Sequence, residues 1–464
     1  MPVFTRQHRM SVPASTLFAW HERPGAFERL NPPWEPVRVV ARAGGIRDGA
    51  RVTVRVPLAG PLGIDWTLEH RDYIEGRQFR DVQVQGPFAR WEHTHCVDPD
   101  GDAASVLTDR IEYEAPMRWA GGVVVEAAIA RSLDRLFAYR HALTEADLAR
   151  HAAVGGAPRR IAITGATGFV GSALDAFLST GGHAVHRIVR GTPDPTRAHP
   201  DIVWDPARGT IDAAAFEGMD VVIHLAGASV AERWTPAHRR AILDSRVQGT
   251  TLLSRTLAGL TRRPSVLIST SAVGWYGDRG DELLDEQAGA GAGFLTDVAK
   301  AWEGAADAAR AAGIRVVHPR IGVVLGAAGG ALGKQLPIFQ FGLGGPLGAG
   351  RHWLPWIALD DVLGAFLHVM HHPVEGPVNF VGPAPVTNAE FTRVLGRVLH
   401  RPAVAPVPSA ALRLVFGAEM ANAVLLSSSR AVPRALEASG FAFRHPTLEG
   451  ALRFELGRLT EPGG

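Results

Sequence analysis

Cysteine, lysine and tyrosine are scarce in this sequence, and each scarcity limits the available chemistry. Cysteine occurs once, at Cys96, so no intramolecular disulfide can form and no cysteine-based zinc site can be built. The lysines and tyrosines are Lys300, Lys334, Tyr73, Tyr113, Tyr139 and Tyr276. Any general acid or base that uses an ammonium group or a phenol must come from this short set.

Long apolar runs are also lacking. No segment approaches the roughly 20 uninterrupted apolar residues that a membrane-spanning helix needs. Charged residues and a proline interrupt the start of the sequence, which therefore lacks the continuous apolar stretch of a secretory signal. We expect no membrane span and a cytoplasmic location, which the single cysteine suits.

Neither sign of charge dominates. The chain has 464 residues, of which 48 are Lys or Arg and 46 are Asp or Glu, giving a net charge of +2. With 46% hydrophobic residues, this length predicts a globular protein of two to three domains. The balanced charge predicts no nucleic-acid partner. The sequence leaves the oligomeric state open.

Residues 1–117 alternate polar and apolar positions in short segments separated by Gly, Pro and Asp, which predicts an antiparallel sheet. Apolar residues at helical spacing over 122–148 then predict a long helix that packs its one apolar stripe on that sheet.

With the stretches at 18–34 and 86–116, this pattern resembles the polyketide-cyclase and lipid-transfer-like helix-grip superfamily. The resemblance implies an α+β domain over residues 1–150 with a cavity for a hydrophobic ligand. Four aromatic residues either line such a cavity or belong to an ordinary core: Trp66, Phe88, Trp91 and Tyr113.

His93 and His95 alternate along one strand and should face the same side of the sheet, as a pair of metal ligands would. The sequence identifies no third ligand nearby. We therefore predict no metal site.

The stretch at 159–190 reads strand, glycine turn, helix and strand. Gly165 permits a tight turn, Gly168 allows the backbone to approach a pyrophosphate, and Gly171 allows the helix to pack closely on the strand. The free N–H groups at the start of the helix would bind the phosphates. The residues predicted to hold a dinucleotide are Thr164, Gly165, Thr167, Gly168, Phe169, Val170, Gly171, Arg190, Leu225, Ala226 and Gly227.

Arg190 follows the second strand of this unit, where an NAD site commonly has Asp or Glu for the ribose hydroxyl groups. A guanidinium pairs well with a 2′-phosphate. We therefore predict NADP as the cofactor, with NAD as the alternative.

Two further apolar stretches, 220–228 and 265–270, predict parallel strands that end beside the cofactor cleft. The first ends in Leu225, Ala226 and Gly227. The second continues into Ser271 and, five residues later, Tyr276.

The glycine turn, the His-Leu-Ala-Gly stretch and the Ser-Thr-Ser strand followed by Tyr-Gly resemble the extended short-chain dehydrogenase/reductase superfamily. The closer likeness is to an atypical NAD-dependent epimerase-like branch with a small C-terminal module of unknown function. The segments that carry it are 277–286, 320–362, 379–391 and 433–453.

The resemblance implies an α/β Rossmann fold, a doubly wound parallel sheet with a small substrate lobe, preceded by the α+β helix-grip domain. We predict the helix-grip domain at 1–150, a linker at 151–158, the Rossmann domain at 159–380 and the C-terminal lobe at 381–464.

The resemblance also assigns Ser271 to the active-site serine of the superfamily. Its catalytic Tyr-x-x-x-Lys pair is missing, because Leu295 and Ala299 occupy those places. Tyr276 and Lys300 are the candidate substitutes for this pair. The alternatives are a structural role for Tyr276 and a solvent-facing position for Lys300.

These features predict an NADP-binding oxidoreductase or epimerase-like enzyme that acts on a small molecule with a carbonyl or hydroxyl group. The loss of the Tyr-x-x-x-Lys pair leaves open a redox sensor or scaffold that binds NADP without turnover. A third hypothesis places the main activity in the first domain.

Overall fold

The computed structural model describes residues 1–35, 37–57, 63–115 and 122–459. The chain divides into two compact units, each described here by itself. The first contains residues 1–156, 176–182 and, at the end of the described chain, 456–459, whereas the second contains 157–175 and 183–455.

The first unit is a seven-stranded antiparallel sheet with the order β1-β7-β6-β5-β4-β3-β2. The first and second strands therefore lie at opposite edges. The strands are β1 (Val3–Met10), β2 (Arg38–Ala43), β3 (Arg51–Pro57), β4 (Gly63–Ile74), β5 (Gln78–Gln85), β6 (Arg90–Pro99) and β7 (Ser105–Glu114).

Three helices complete this unit: α1 (Ala14–Glu22), α2 (Ala26–Leu30) and α3 (Gly122–Val154). The long helix α3 packs Leu133 and Phe137 against Trp91, Ile111 and Tyr113 of the sheet. The predicted antiparallel sheet covered by one amphipathic helix is thus present. The predicted aromatic residues contact one another, with ring centroids 5.1 Å apart for Trp66 and Trp91 and 4.8 Å apart for Phe88 and Trp91.

Helix α3 is longer than expected and includes the first part of the predicted linker. It ends at Val154, where Gly155 and Gly156 have φ angles of 55° and 87°. Because L-residues rarely adopt such angles, the two glycines terminate the helix. Residues 151–154 are therefore helical, and only the following glycines and Pro158 form the connection.

The second unit has a parallel sheet at its centre. Its strands lie in the order β10-β9-β8-β12-β13-β16, and all of them are parallel. The chain adds β9 and β10 on one side of β8 and then crosses to add β12, β13 and β16 on the other side, as in a doubly wound Rossmann sheet. Strands β14 and β20 also pair with β16. The strands are β8 (Arg160–Thr164), β9 (Ala184–Val189), β10 (Ile202–Asp205), β11 (Thr210–Ile211), β12 (Val221–His224), β13 (Val266–Ser269), β14 (Ser271–Ala272), β15 (Leu283–Leu284), β16 (Arg315–Ile321), β17 (Val323–Gly326), β18 (Trp353–Leu354), β19 (Trp356–Ala358), β20 (Gly376–Phe380), β21 (Val386–Thr387) and β22 (Arg430–Ala431).

Every residue of β12 and β13 is buried. Strands buried on both faces are continuously apolar, as sequence inspection indicated for these two segments. The helices of this unit are α4 (Phe169–Thr180), α5 (Pro236–Ala258), α6 (Phe294–Gly304), α7 (Asp307–Ala311), α8 (Gly330–Gln340), α9 (Leu359–His371), α10 (Asn388–Leu399), α11 (Ser409–Phe416), α12 (Ala418–Met420), α13 (Arg434–Ala438) and α14 (Leu448–Glu455).

The predicted division between residues 380 and 381 falls inside this second unit. One contact that ties the C-terminal segment to the rest is made by Asp361 in the first turn of α9. Its carboxylate accepts hydrogen bonds from the backbone N–H groups of Arg444 at 2.8 Å and His445 at 3.0 Å. Asp361 is not the N-cap residue of α9: that position is Ala358, whose side chain makes no capping hydrogen bond.

Among the described residues, no helix combines the length and apolar character needed to cross a bilayer. The longest helix, α3, has charged residues along its whole length.

Candidate functional site

The turn between β8 and α4 has the backbone shape that a dinucleotide phosphate site requires. Gly165 has a φ of 68°, and the N–H of Gly168 donates to its carbonyl at 2.9 Å. A Cβ on Gly171 would lie 2.1 Å from the Gly165 oxygen, and a Cβ on Gly165 would lie 3.0 Å from backbone atoms of Leu225 and Ala226. A side chain at Gly165 or Gly171 would therefore prevent the close backbone contacts that this turn makes.

The start of α4 is open on the side where phosphates would bind. Thr167 and Gly168 are exposed, and Phe169 and Val170 are partly buried. The Phe169 ring lies against a glycine-rich loop, because added Cβ atoms on Gly326 and Gly329 would lie 2.4 and 2.7 Å from it. The exposed residues of the turn, at the start of a helix, therefore fit a pyrophosphate cradle.

A buried hydrogen-bond network joins this turn to the neighbouring strand. The Thr164 hydroxyl oxygen accepts from the backbone N–H groups of Leu225 at 3.0 Å and Ala226 at 3.1 Å, and it lies 2.7 Å from Nδ1 of His224. Since its oxygen already accepts twice, the hydroxyl proton of Thr164 goes to Nδ1. His224 is therefore neutral, with its proton on Nε2.

Burial lowers the pKa of His224 to about 4, and the positive charge of Arg246 acts in the same direction. The Arg246 guanidinium donates to the carbonyls of Ala228 and Ile242 and lies next to Gly227. The strand end at 225–227 is therefore supported by Thr164 on one side and by Arg246 on the other.

Arg187 lies in β9 and Arg190 directly follows this strand, but the two side chains have different environments. Arg187 makes two hydrogen bonds to the Asp201 carboxylate, at 2.9 and 2.8 Å, and Asp201 raises its pKa. Arg190 follows β9 and is exposed. Arg190 is therefore the guanidinium of this pair that is accessible to a ligand.

Ser271 lies on β14, beyond the end of β13, and is buried. Its hydroxyl donates to Oε1 of Glu303 at 2.7 Å. Arg320 of β16 binds the same carboxylate twice, from Nε to Oε1 at 2.9 Å and from a terminal nitrogen to Oε2 at 3.1 Å. Its guanidinium also lies 3.9 Å from the centre of the Trp275 ring.

Tyr276 is fully buried, and neighbouring groups surround its hydroxyl. The hydroxyl lies 2.7 Å from Oδ1 of Asn379 and 2.9 Å from the carbonyl of Asp285, and it accepts from Arg320 at 3.2 Å. Burial raises the pKa of Tyr276, although Arg320 opposes this shift. This environment favours a structural role, and the role as an acid stays a prediction that the geometry opposes.

Helix α6 presents Leu295, Ala299 and Glu303 at four-residue intervals, so these side chains share one face. Leu295 lies against Gly274, where an added Cβ would be 3.1 Å from the Leu295 Cβ. Leu295, at the place of the missing tyrosine, thus packs against Gly274 next to the candidate site. One helical turn beyond Ala299, the same face of the helix carries Glu303. Lys300 is exposed, about 100° around the helix from Ala299.

Sequence inspection missed Glu303. The sequence does contain a signal for Glu303. It follows Ala299 by four residues and therefore lies on the helix face that carries the catalytic pair in related dehydrogenases. The sequence alone could not show that the carboxylate pairs with Arg320 of a distant strand. His224 was missed because a histidine in an apolar strand has no characteristic spacing.

The glycine-rich stretch at 341–353 contains Arg351 and His352. Arg351 is exposed, whereas His352 is partly buried, and this burial lowers its pKa. From the sequence, this stretch is either a mobile substrate loop, with Arg351 and His352 as its anion- or proton-handling groups, or an irregular connection, and both interpretations stay predictions.

The strand order, the glycine turn and the serine at the end of the neighbouring strand define a dinucleotide-binding Rossmann protein of the short-chain dehydrogenase/reductase type. Residues 161–381 match the model of the NAD dependent epimerase/dehydratase family, and residues 407–455 match a domain of unknown function, DUF1731.

Relatives extend this match over most of their own length. The chain is 43% identical to an epimerase family protein of Mycobacterium bovis over 65% of this chain and 98% of that protein. It is 34% identical to the human epimerase family protein SDR39U1 over 63% of this chain and 98% of that protein. The chain therefore belongs to the NAD dependent epimerase/dehydratase family.

Two solved structures are informative. A nucleoside-diphosphate sugar epimerase from Corynebacterium glutamicum has a TM-score of 0.81 and 32% identity, covering 99% of this chain and 91% of that one. Human SDR39U1, solved with NADPH, has a TM-score of 0.59 and 33% identity, covering 65% of this chain and all of that one. The first likeness therefore extends over both units.

We expect Gly171→Ala to impair dinucleotide binding. The new methyl group would collide with the Gly165 carbonyl and distort the turn, which should lower the free energy of unfolding by about 1–3 kcal/mol. Titration with NADPH, followed by nicotinamide fluorescence, should show a Kd raised at least about tenfold. Gly191→Ala is the matched control, because its Cβ would have no neighbour within 4 Å. Equal affinity in the two variants would contradict the assignment.

His224 should make the second unit less stable in acid. Its pKa is about 4 when folded, against an ordinary value of 6.5, so the unfolded chain binds the proton first as the pH falls. This contribution is complete above pH 6.5, and about 3 kcal/mol is lost by pH 4. Urea unfolding between these pH values should show a shallower loss for His224→Gln than for the wild type. Identical pH profiles would refute this reading.

Proposed function

We propose that the second unit binds NADP and catalyses reversible hydride transfer at a carbon that bears a hydroxyl or carbonyl group. The network of Ser271, Glu303 and Arg320 carries this proposal, because it retains a hydroxyl and an oriented carboxylate without the Tyr-x-x-x-Lys pair. Residues 164–171 would hold the pyrophosphate, and 225–227 would lie beside the nicotinamide ribose.

The preference for NADP rests on Arg190. Its exposed guanidinium follows the second strand, where the adenosine ribose of a bound dinucleotide would lie, and Arg187 is already paired with Asp201. A guanidinium can make two hydrogen bonds to a 2′-phosphate, which NAD lacks. The relative human SDR39U1, solved with NADPH, supports the same choice.

Arg190→Ala should weaken NADPH binding about 10- to 100-fold, because a charge-assisted contact with the 2′-phosphate is lost. The affinity for NADH should stay unchanged. Titration of both nucleotides with the wild type, Arg190→Ala and the exposed control Arg208→Ala measures this. A wild type that binds NADH more tightly than NADPH would remove the role of Arg190.

Bound NADP supplies a hydride acceptor, and its reduced form supplies a hydride donor. The side chains of this chain handle the accompanying proton. Because Ser271 donates its own proton to Glu303, its oxygen is left to accept a proton from a substrate hydroxyl. As that alcohol is oxidised, its proton would pass to Ser271 while the serine proton passes to Glu303. Reduction would reverse both transfers.

Arg320 orients the carboxylate that takes part in this exchange. Its two hydrogen bonds fix the carboxylate of Glu303 and stabilise it as an anion. A carboxylate is in general a weaker base than a tyrosine phenolate, so we expect a slower reaction than in dehydrogenases that use tyrosine and lysine.

Ser271→Ala should lower kcat/KM by about 10- to 1,000-fold, because the contact with the substrate oxygen is lost. Glu303→Gln should reduce kcat at least tenfold with a smaller effect on KM, since the proton acceptor is removed. A panel of carbonyls and alcohols that includes nucleoside-diphosphate sugars provides the assay, followed by nicotinamide absorbance. Lys334→Ala, which changes an exposed lysine, is the control.

Tyr276→Phe and Lys300→Ala in the same assay test the other two residues predicted from the sequence. If kcat/KM of Tyr276→Phe or Lys300→Ala falls as far as that of Ser271→Ala, the substituted residue is the general acid. Unchanged activity in both Ser271→Ala and Glu303→Gln would overturn the proposed proton path.

A redox sensor or scaffold that binds NADP without turnover is the second candidate. Leu295 and Ala299 at the places of the catalytic pair support it. Tight NADPH binding without turnover of any member of the panel would favour this reading.

We propose further that the first unit is a helix-grip domain. Its seven antiparallel strands, the two short helices between β1 and β2 and the long final helix support this assignment. A bound hydrophobic ligand, an activity of this unit and a cytoplasmic location stay predictions from the sequence. Mass spectrometry of small molecules that co-purify with the full chain tests the ligand.

A further inference from the structure

The sheet of the first unit holds a cluster of histidines and aspartates on one face. His93 and His95 of β6 lie beside Asp81 of β5 and Asp109 of β7, and His93, His95 and Asp109 are buried. Aromatic rings pack against both histidines: Phe79 stacks on His95 at 4.2 Å, and Phe137 contacts His93 edge-on at 5.2 Å. Such a concentration of polar groups in a core is costly unless the groups bind one another or an ion.

The two distances from Asp81 to the histidines are close to those between the ligands of one metal ion. Oδ2 of Asp81 lies 3.5 Å from Nδ1 of His93 and 3.4 Å from Nε2 of His95. The three ligand atoms all lie within 4.8 Å of one another. In a tetrahedral zinc site with bonds of about 2.0–2.1 Å, neighbouring ligand atoms are roughly 3.3–3.4 Å apart. Hydrogen bonds between these groups would normally be shorter than 3.2 Å.

The groups behind these three residues have the arrangement that orients metal ligands. Asp109 Oδ1 lies 2.8 Å from Nε2 of His93 and 2.8 Å from Nδ1 of His95. These are the ring nitrogens that do not face Asp81. Histidine ligands usually donate their second N–H to a carboxylate in this way, which fixes the tautomer.

Two further histidines hold the carboxylates. Nε2 of His70 lies 2.9 Å from Oδ1 of Asp81, and Nε2 of His141 lies 2.6 Å from Oδ2 of Asp109. Each carboxylate is thus fixed by a partner on a different element. The contact of His95 with Asp109 is not aligned as a hydrogen bond, so Nδ1 of this buried ring has no hydrogen-bond partner.

We propose that Asp81, His93 and His95 bind a divalent zinc-like metal ion in the first unit, with Asp109 as the carboxylate that orients His93 and lies beside the second ring nitrogen of His95. The sequence predicted no metal because Asp81 lies on a different strand, 12 residues before His93. Three protein ligands leave the fourth position to water, as in catalytic zinc sites. This inference is independent of the dinucleotide site.

A metal-free ion cluster is the competing arrangement. Burial disfavours a charged His95, but Asp109 and Asp81 together raise its pKa to about 9. In that arrangement the ring keeps both protons and cannot coordinate. Metal titration of the whole protein separates the two.

The experiment uses the full chain in a Cys96→Ser background, stripped of metal with a chelator and titrated with Co²⁺ and with Zn²⁺. Four-coordinate Co²⁺ absorbs visible light far more strongly than six-coordinate Co²⁺, so the spectrum reports the geometry. We expect one equivalent of each ion per chain and an intense four-coordinate band, which Zn²⁺ should abolish.

The variants assign the ligands. His93→Gln and Asp81→Asn should weaken metal binding more than about 100-fold, and Asp109→Asn should weaken it about 10- to 100-fold. His238→Gln is the control, since His238 belongs to the second unit, where its Nε2 lies 2.9 Å from the Ser229 carbonyl. His95→Cys should add a thiolate-to-cobalt band in the near ultraviolet, a gained signal that does not depend on comparing affinities.

Circular dichroism of each metal-free variant checks its folding. No saturable binding by the wild type, a six-coordinate cobalt spectrum, or unchanged affinity in folded His93→Gln and Asp81→Asn would each overturn the proposal. If these variants fail to fold, the wild-type spectrum and the new band of His95→Cys still decide the question.

Discussion

The ion pair between Glu303 and Arg320 is the contact on which the candidate substrate site depends. Arg320 is 2% exposed, and its guanidinium binds the carboxylate through two hydrogen bonds. Removing one partner of such a buried pair typically costs about 3–5 kcal/mol, because the other charge is left uncompensated. The pair therefore constrains helix α6 and strand β16 together, and with them the residues attached to both.

Those residues account for the site's unusual composition. The Glu303 carboxylate accepts a hydrogen bond from the Ser271 hydroxyl, and Arg320 donates a hydrogen bond to Tyr276. Tyr276 in turn contacts Asn379 on β20. A tyrosine held in this way stabilises the sheet edge and has little freedom to move towards a substrate. Glu303 lies on the helix face where related dehydrogenases have a phenol and an ammonium group, and the hydroxyl of Ser271 on β14 donates a hydrogen bond to it.

The sequence predicted the local elements well because their signals are local. Gly165 and Gly171 must lack side chains wherever this turn forms, a Cβ on Gly168 would be a tight contact, and the spacing of the three glycines is visible in the linear sequence. The buried parallel strands were found for the same reason, since burial on both faces requires continuous apolar runs. The helix end was misplaced by several residues, because α3 continues until two glycines at positive φ stop it.

The sequence by itself determined the Rossmann unit, the dinucleotide turn and the absence of the Tyr-x-x-x-Lys pair, because each depends on residue type and on short spacing. Only the tertiary structure decided which side chains lie beside the places of that pair and which side chains meet in the first unit. Glu303 meets Arg320 across 17 positions, and Asp81 meets His93 from a neighbouring strand. Such meetings depend on strand register and helix packing, which bring together residues that no local pattern connects.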